Sequence, residues 1–127
     1  LKHYPYLVIE REGRIQGYAY AGALGERAAY SRSCELSVYL DRSARRCGLG
    51  RQLYRALEDR LKEMGILNMY ACIAYPDKED EYLNSNSADF HTHLGFTRVG
   101  KFHKCGFKFG RWYNIVWMEK IIGRHEE

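Results

Sequence analysis

The 127-residue chain is long enough for one hydrophobic core, and we expect a single domain spanning residues 1–127. Hydrophobic residues make up 46% of the sequence and charged residues 28%, which is ordinary for a globular domain. The net charge of +4 is modest, and the positively charged residues gather around residues 42–55 and 98–111. A nucleic-acid partner is therefore not expected. No apolar run approaches the roughly 20 residues of a membrane-spanning helix, and no signal-peptide pattern is present, so no membrane association is expected.

The first forty residues predict three antiparallel strands: Tyr6–Glu10, Arg14–Ala21 and Ala29–Leu40. Gly13 ends the short polar link between the first two strands, which is typical of a hairpin. Residues 22–27 are predicted to form a loop. In the third strand, Glu35 and Ser37 alternate with Leu36 and Val38, so the two pairs are predicted to lie on opposite faces.

The stretch Asp41–Met64 predicts a loop followed by an amphipathic helix. Leucines recur every four residues, which places them on one helical face: Leu49, Leu53, Leu57 and Leu61. Gly65 stands where the end of a helix favours a residue in the left-handed conformation.

The loop before this helix, Arg45-Arg46-Cys47-Gly48-Leu49-Gly50, has features that favour phosphate binding. It precedes a helix start, where N–H groups without partners carry the positive end of the helix dipole. Gly48 and Gly50 let a ligand approach the backbone, and the arginines supply countercharge. The alternative is that the glycines only form a tight turn and the arginines are solvated. The Gly-Lys-Ser/Thr ending of a P-loop and the third glycine of a dinucleotide fingerprint are both missing.

The second half of the chain predicts a strand that is apolar on both faces, a short helix and two further strands. The first of these strands is expected to be central, covered on both sides, and parallel to the strand before the long helix. Ser87 is the predicted N-cap of the short helix and Gly95 its end, with Phe90 and Leu94 facing the core. The predicted elements are Asn68–Tyr75, Ser87–Leu94, Phe96–Val99 and Trp112–Ile121, with a loop or hairpin at residues 102–110.

The four cysteines are widely spaced and form no Cys-x-x-Cys pair: Cys34, Cys47, Cys72 and Cys105. Neither a zinc site nor a redox motif is indicated, and we expect no metal. Cys34 and Cys72 lie in strand-like runs and are predicted to be small core residues. A reducing, cytoplasmic setting fits this pattern best.

Several motifs together resemble one enzyme family. Arg45-x-x-Gly48-x-Gly50, after a strand and before a helix, resembles the acyl-CoA pyrophosphate loop of the GNAT N-acetyltransferases. Three flanking motifs resemble the phosphinothricin acetyltransferase-like branch of that family: Glu35-Leu36-Ser37-Val38-Tyr39-Leu40, Asn84-x-x-Ser87-x-x-x-His91-x-x-x-Gly95-Phe96 and Gly106-Phe107-Lys108-Phe109-Gly110-Arg111-Trp112. The match spans nearly the whole chain in the order of the family.

This resemblance implies an α/β fold with a mixed, mostly antiparallel, twisted sheet flanked by helices. The chain starts at Leu1 and enters a strand almost at once, so we expect a GNAT domain truncated at its N-terminus, without the first strand and helices of the family. The implied activity is transfer of an acetyl group from acetyl-CoA to the primary amine of a small amino-acid-like acceptor, of the phosphinothricin or methionine sulfoximine type. Direct transfer without a covalent enzyme intermediate and a homodimeric assembly are also implied.

The resemblance also implies residue roles. Glu35 is the expected general base and His91 is expected near the thiol. The implied cofactor-binding residues are Val38, Tyr39, Leu40, Arg45, Arg46, Cys47, Gly48, Leu49, Gly50, Asn84 and Ser87, and the implied substrate-binding residues are Arg27, Tyr30, Arg111 and Trp112.

Plainer interpretations remain open for these residues. Glu35 could be a solvent-facing strand residue, since carboxylates are rarely buried. His91 and Trp112 could serve packing alone, and Arg27 could be a solvated loop residue. A catalytically silent acyl-CoA-binding or interaction domain is the alternative function.

Overall fold

The computed structural model describes residues 3–40, 48–75 and 86–126. Within these ranges the chain forms six strands and two α-helices, and the paired strands given below are antiparallel, so the predicted α/β fold is confirmed. The elements are β1 (Tyr6–Arg11), β2 (Arg14–Ala23), β3 (Ser33–Leu40), α1 (Leu49–Glu63), β4 (Asn68–Tyr75), α2 (Asn86–His93), β5 (Thr97–Lys108) and β6 (Arg111–Ile121). The chain divides into two compact units, residues 1–69 with 121–127 and residues 70–120. The single domain stays a prediction.

In the first unit, β1, β2 and β3 follow one another as antiparallel neighbours. Glu12 and Gly13 connect β1 to β2 with φ angles of 56° and 76°, which are typical of the two-residue turn that suits a twisted hairpin. The hairpin prediction is therefore confirmed. The predicted loop at residues 22–27 begins too early, because Gly22 and Ala23 continue β2 opposite β3.

The predicted start of the third strand at Ala29 is wrong. Residues Ala28–Tyr30 form a 3-10 turn, in which the Tyr30 N–H donates to the Arg27 carbonyl at 3.0 Å. The Ser31 N–H donates likewise to the Ala28 carbonyl at 3.1 Å. These local bonds hold the segment out of the sheet until Ser33, where β3 begins.

Helix α1 belongs to the first unit and packs its leucine face against the strands of that unit, as the four-residue spacing of the leucines predicts. Leu57 and Leu61 are fully buried, and α1 contacts both β1 and β2. The small buried residues Ala19 and Ala21 of β2 allow a close approach on that face. Gly65 follows the helix with φ 83°, which confirms the predicted left-handed residue.

The second unit places β4, β6 and β5 side by side in that order. The prediction that β4 is covered on both faces is wrong. Ala71 and Ile73 are buried, whereas Cys72 and Ala74, which alternate with them, are exposed. Cys72 is therefore not a core residue, because no described part of the chain covers its side of the strand; Cys34 is fully buried, as predicted.

Helix α2 begins at Asn86, so the prediction that Ser87 is its N-cap is wrong. Its most buried side chains are Ala88 and His91, while the predicted core residue Phe90 is only half-buried. Gly95, at φ 97°, ends the helix as predicted. Hairpin β5–β6 turns at Phe109 and Gly110, at φ 54° and 70°. Of the two predicted alternatives for residues 102–110, the hairpin forms, but residues 102–108 belong to β5 and not to a loop. None of the helices in the described ranges is long and apolar enough to cross a membrane.

Candidate functional site

Glu35 stands in the middle of β3, on the face that points away from α1. Its neighbours Cys34 and Leu36 are buried in the core, and alternation along a strand turns Glu35 to the opposite side. Burial along β3 thus agrees with the predicted division of faces. The Glu35 side chain is half-buried, and its Cα partner in β2 is Gly22.

The surroundings of the Glu35 carboxylate leave it chemically available. Among the described residues, no hydrogen-bond donor or cation is paired with it, and Gly22 presents no side chain across from it. A half-buried carboxylate with open space beside it can accept a proton from a bound amine. The geometry is thus compatible with the predicted base.

Four tyrosines extend from Glu35 along the same face of the first three strands, and we name them the tyrosine face: Tyr6, Tyr18, Tyr20 and Tyr39. Tyr20 is the Cα partner of Ser37, and Tyr18 is that of Tyr39. The rings stack with centroids 5.4 Å apart in two pairs: Tyr6 and Tyr20, whose planes are 4° apart, and Tyr18 and Tyr39, whose planes are 25° apart. This surface was not predicted from the sequence, although the alternation Tyr18-x-Tyr20 in a predicted strand indicates two tyrosines on one face.

The start of α1 has features that suit an anion. Gly48, at the N-cap position, adopts the left-handed conformation at φ 78° and, as a glycine, has no side chain that could cap the helix, which begins at Leu49. The first turn contains no acidic residue. N–H groups that lack a helical partner therefore face a position where negative charge is stabilised by the helix dipole. Arg45, Arg46, Cys47 and Asn84 lie outside the described residues.

Two of the predicted cofactor residues in α1 are buried: Leu49 and Gly50. Their contribution to a ligand would come from backbone N–H groups, since the Leu49 side chain belongs to the core. At the end of β3, Val38, Tyr39 and Leu40 pair with residues of β2, and the Tyr39 side chain is exposed.

The predicted acceptor residues are Arg27, which precedes the 3-10 turn before β3, and Tyr30, which ends that turn. Both side chains are exposed, so both are accessible to a ligand. The first unit thus holds Glu35, the end of β3, the start of α1 and these two residues.

The second unit holds the predicted residues of α2. His91 is 6% exposed, and its Nδ1 lies 2.6 Å from the backbone carbonyl of Ser87. A carbonyl only accepts, so the Nδ1 atom carries the proton. The Phe90 and Phe96 rings lie edge-on to the imidazole at 5.6 and 5.2 Å.

Burial lowers the pKa of His91, and the hydrogen bond to the Ser87 carbonyl opposes the shift. The unfolded chain, with a His pKa of about 6.5, therefore binds a proton more readily than the folded one. The stability from neutral His91 is present above about pH 6.5 and is lost as the pH falls toward the lowered folded pKa.

We expect His91→Gln to flatten the decline in urea-denaturation stability between about pH 7 and pH 5.5, because it removes this titration. His93→Gln, an exposed position on the same helix, is the matched control and should keep the wild-type decline. An equal decline in wild type and His91→Gln would show that His91 does not titrate differently on folding.

The β5–β6 turn carries the remaining predicted residues, in a segment that we name the hairpin tip: Phe107, Lys108, Phe109, Gly110, Arg111 and Trp112. Trp112 is 61% exposed and packs edge-on against Phe107, with ring centroids 4.9 Å apart. The Lys108 Nζ atom lies 5.2 Å from the centre of the Phe109 ring. Arg111 is exposed as well.

A metal centre is not indicated in the part of the chain that the structure describes, where no group of three or more His, Cys, Asp or Glu residues converges. That the reaction needs no metal stays a prediction.

Comparison with known proteins identifies the relatives of this chain. Residues 1–117 match the acetyltransferase (GNAT) domain family. A phosphinothricin N-acetyltransferase of Streptomyces viridochromogenes is 34% identical over 117 residues, which cover 92% of this chain and 60% of that protein. An L-methionine sulfoximine/L-methionine sulfone acetyltransferase of Salmonella typhimurium is 34% identical over 122 residues, covering 96% of this chain and 67% of that protein.

A solved structure agrees with these sequence matches. The yncA protein of Salmonella typhimurium, solved with its cofactor acetyl-CoA, has a TM-score of 0.85 at 32% identity, over 98% of this chain and 68% of that chain. The chain spans 60% of the length of the first of these relatives.

Proposed function

Because this chain belongs to the GNAT acetyltransferase family, we propose that the protein transfers an acetyl group from acetyl-CoA to the primary amine of a small amino-acid-like acceptor. Relatives named for phosphinothricin and methionine sulfoximine support an acceptor of this type. The neighbouring structure that contains acetyl-CoA supports the donor. In this chain, the observation that carries the proposal is the available Glu35 carboxylate on the open face of β3.

In the proposed reaction, Glu35 takes a proton from the acceptor ammonium, directly or through one water molecule. The nitrogen lone pair then forms a bond to the thioester carbon, and the carbon–sulfur bond breaks. The nitrogen loses its second proton and the departing thiolate takes up one proton, so the products are an amide and free CoA, and Glu35 returns the first proton to solvent. Backbone N–H groups at the end of β3 are proposed to polarise the thioester carbonyl while charge develops on its oxygen.

The proposed CoA site is the start of α1, where the pyrophosphate would meet the backbone N–H groups after Gly48. The absence of an acidic residue in the first turn and the lack of a capping side chain at Gly48 support this placement. Arg45, Arg46 and Cys47 are proposed to complete this loop, and Asn84 and Ser87 are also proposed to contact the cofactor.

We propose that His91 lies near the thiol of CoA. Its lowered pKa keeps the imidazole neutral near pH 7, and its Nδ1 proton is held by the Ser87 carbonyl. These facts support a role as a neutral hydrogen-bonding group that orders the first turn of α2, rather than a role as a cationic acid.

Arg27 and Tyr30 are proposed to receive the acceptor in the first unit, and Arg111 and Trp112 to do so from the hairpin tip. An exposed guanidinium suits a carboxylate partner, because its N–H groups can pair with both oxygens. A reducing, cytoplasmic setting belongs to the same proposal and is supported by the wide cysteine spacing.

A homodimer is proposed to form through the hairpin tip. The exposed rings of Phe107, Phe109 and Trp112 form an aromatic surface of the kind that marks protein–protein contacts. We expect light scattering after size exclusion to give a dimer mass for the wild type and a monomer mass for the double variant Phe109→Asn, Trp112→Ser. Asparagine suits the positive φ at residue 109. An unchanged mass would place the interface elsewhere, and Tyr6→Ser, an exposed tyrosine in the first unit, is the control.

Mass spectrometry tests the proposed function directly. The protein is incubated with acetyl-CoA and L-methionine sulfoximine, and we expect the N-acetylated amino acid and free CoA in equal amounts. Direct transfer also predicts no acetyl adduct on a cysteine of the protein. Thermal stabilisation by CoA without acetylation of any amine would instead favour the silent binding domain.

A further inference from the structure

Strand β2 contains two glycines whose surroundings differ. At Gly17, an added Cβ atom would lie 2.6 Å from the Tyr39 carbonyl oxygen and 2.8 Å from Leu40 Cδ2. Glycine is therefore required there by the close approach of β3. At Gly22, an added Cβ atom would meet nothing within 4 Å in the part of the chain that the structure describes, and the φ angle is not left-handed. Neither steric crowding nor backbone conformation requires a glycine at position 22.

A glycine inside a strand weakens it, because it adds backbone freedom to the unfolded chain and packs no side chain. Strand glycines without a conformational reason often mark a place where a ligand approaches the backbone. Gly22 pairs with Glu35 and the following residue, Ala23, pairs with Cys34, so Gly22 lies within a regular ladder and not in a turn.

The position of Gly22 connects the open space to the proposed base. Gly22 is the Cα partner of Glu35, and directly opposed residues of an antiparallel pair present their side chains on the same face. The side chain missing at Gly22 therefore leaves a gap beside the Glu35 carboxylate. Two residues earlier on the same face stands Tyr20, which stacks on Tyr6 at 5.4 Å with the rings 4° from parallel. The gap is thus bordered by Glu35 across the ladder and by the tyrosine face along it.

We infer that Gly22 is a specificity-determining residue, an inference that rests on the proposed acetyl transfer. The gap above Gly22 holds the amine-bearing carbon of the acceptor, so that its nitrogen lies against Glu35. Room at this carbon admits amines whose amine-bearing carbon carries substituents, as it does in α-amino acids. A side chain at position 22 would compete with those substituents while leaving the start of α1 and the CoA site unchanged.

A graded series at position 22 tests this inference. With L-methionine sulfoximine as the probe, Gly22→Ala should lower kcat/KM about 10-fold, because small changes of fit in a pocket have effects of this size. Gly22→Val should lower kcat/KM about 100-fold, as expected for a displaced reacting atom. The KM for acetyl-CoA and the thermal stabilisation by CoA should stay at wild-type values, which a general loss of structure would not allow. Gly100→Val is the matched control, because Gly100 also lies in a strand with nothing within 4 Å of an added Cβ.

The outcomes separate this inference from the function on which it rests. A wild-type protein that acetylates no amine overturns the proposed function and this inference together. An active wild type whose Gly22→Ala and Gly22→Val variants keep full kcat/KM overturns the inference alone. If Gly22→Val fails to fold, the alanine variant decides, since a Cβ atom is accommodated without contact.

Discussion

Replacing Glu35 by glutamine lowers the turnover number for amine acetylation by roughly two to four orders of magnitude, the usual contribution of a general base. Glutamine keeps the shape and the hydrogen-bonding capacity of the side chain but removes the basic oxygen. Because Glu35 has no charged or hydrogen-bonded partner among the described residues, the substitution should leave the fold and CoA binding nearly unchanged. The loss should shrink as the pH rises, since more of the acceptor amine is then unprotonated without help from the enzyme.

Steady-state kinetics with acetyl-CoA measures this effect. Glu10→Gln, which changes an exposed carboxylate on β1, is the matched control and should retain wild-type turnover. Full activity of Glu35→Gln near neutral pH would remove Glu35 from the mechanism and leave it as a solvent-facing strand residue.

Replacing Gly48 by valine abolishes the thermal stabilisation that CoA gives the wild type. Gly48 has φ 78°, a conformation that a β-branched residue rarely adopts, and the space where its Cβ would lie is open in the described chain. The new side chain would both distort the start of α1 and occupy the proposed approach of the pyrophosphate. Differential scanning fluorimetry with and without CoA gives the shift in Tm.

Gly13→Val separates backbone strain from ligand binding. Gly13 also has a positive φ, 76°, with nothing within 4 Å of an added Cβ, but it lies in the β1–β2 turn. We expect this variant to lower the Tm of the free protein to a similar degree and to keep the full shift with CoA. A full CoA shift in Gly48→Val would show that the pyrophosphate binds elsewhere.

The elements that sequence predicted well are those whose signals are local. The four-residue leucine repeat of α1 reports one buried face, and Gly65 and Gly95 each supply a left-handed residue where a helix ends. A short polar link that ends in glycine likewise predicted the β1–β2 hairpin, because paired positive φ angles are needed in such a turn.

The two errors in the strands have different causes. The third strand was predicted to start at Ala29, yet two local backbone hydrogen bonds hold Ala28–Tyr30 in a 3-10 turn outside the sheet. In β4, tertiary contacts decide. The apolar run of β4 is consistent with burial on both sides, but the sequence of a strand does not by itself determine which of its faces other elements cover. Cys72 is exposed for that reason.

In the candidate site, too, a residue within a local motif was predicted, whereas residues that depend on strand pairing were not. Glu35 was found because a family motif surrounds it, and β3 then places it on the face predicted by alternation. Gly22 was assigned to a loop, since glycine is a strong breaker signal. Only the pairing of β2 with β3 sets it opposite Glu35. The tyrosine face, similarly, depends on strand register between residues far apart in sequence.

The release of free thiol from acetyl-CoA, followed while a panel of amino acids and their sulfoximine and phosphinic analogues is added, tests the central claim most directly. We predict saturable release that depends on a primary amine acceptor, matches the amount of N-acetylated product, and nearly disappears in Glu35→Gln. Thiol release at the same low rate with and without every amine, in a protein that CoA still stabilises, would contradict an acetyltransferase and identify a binding domain.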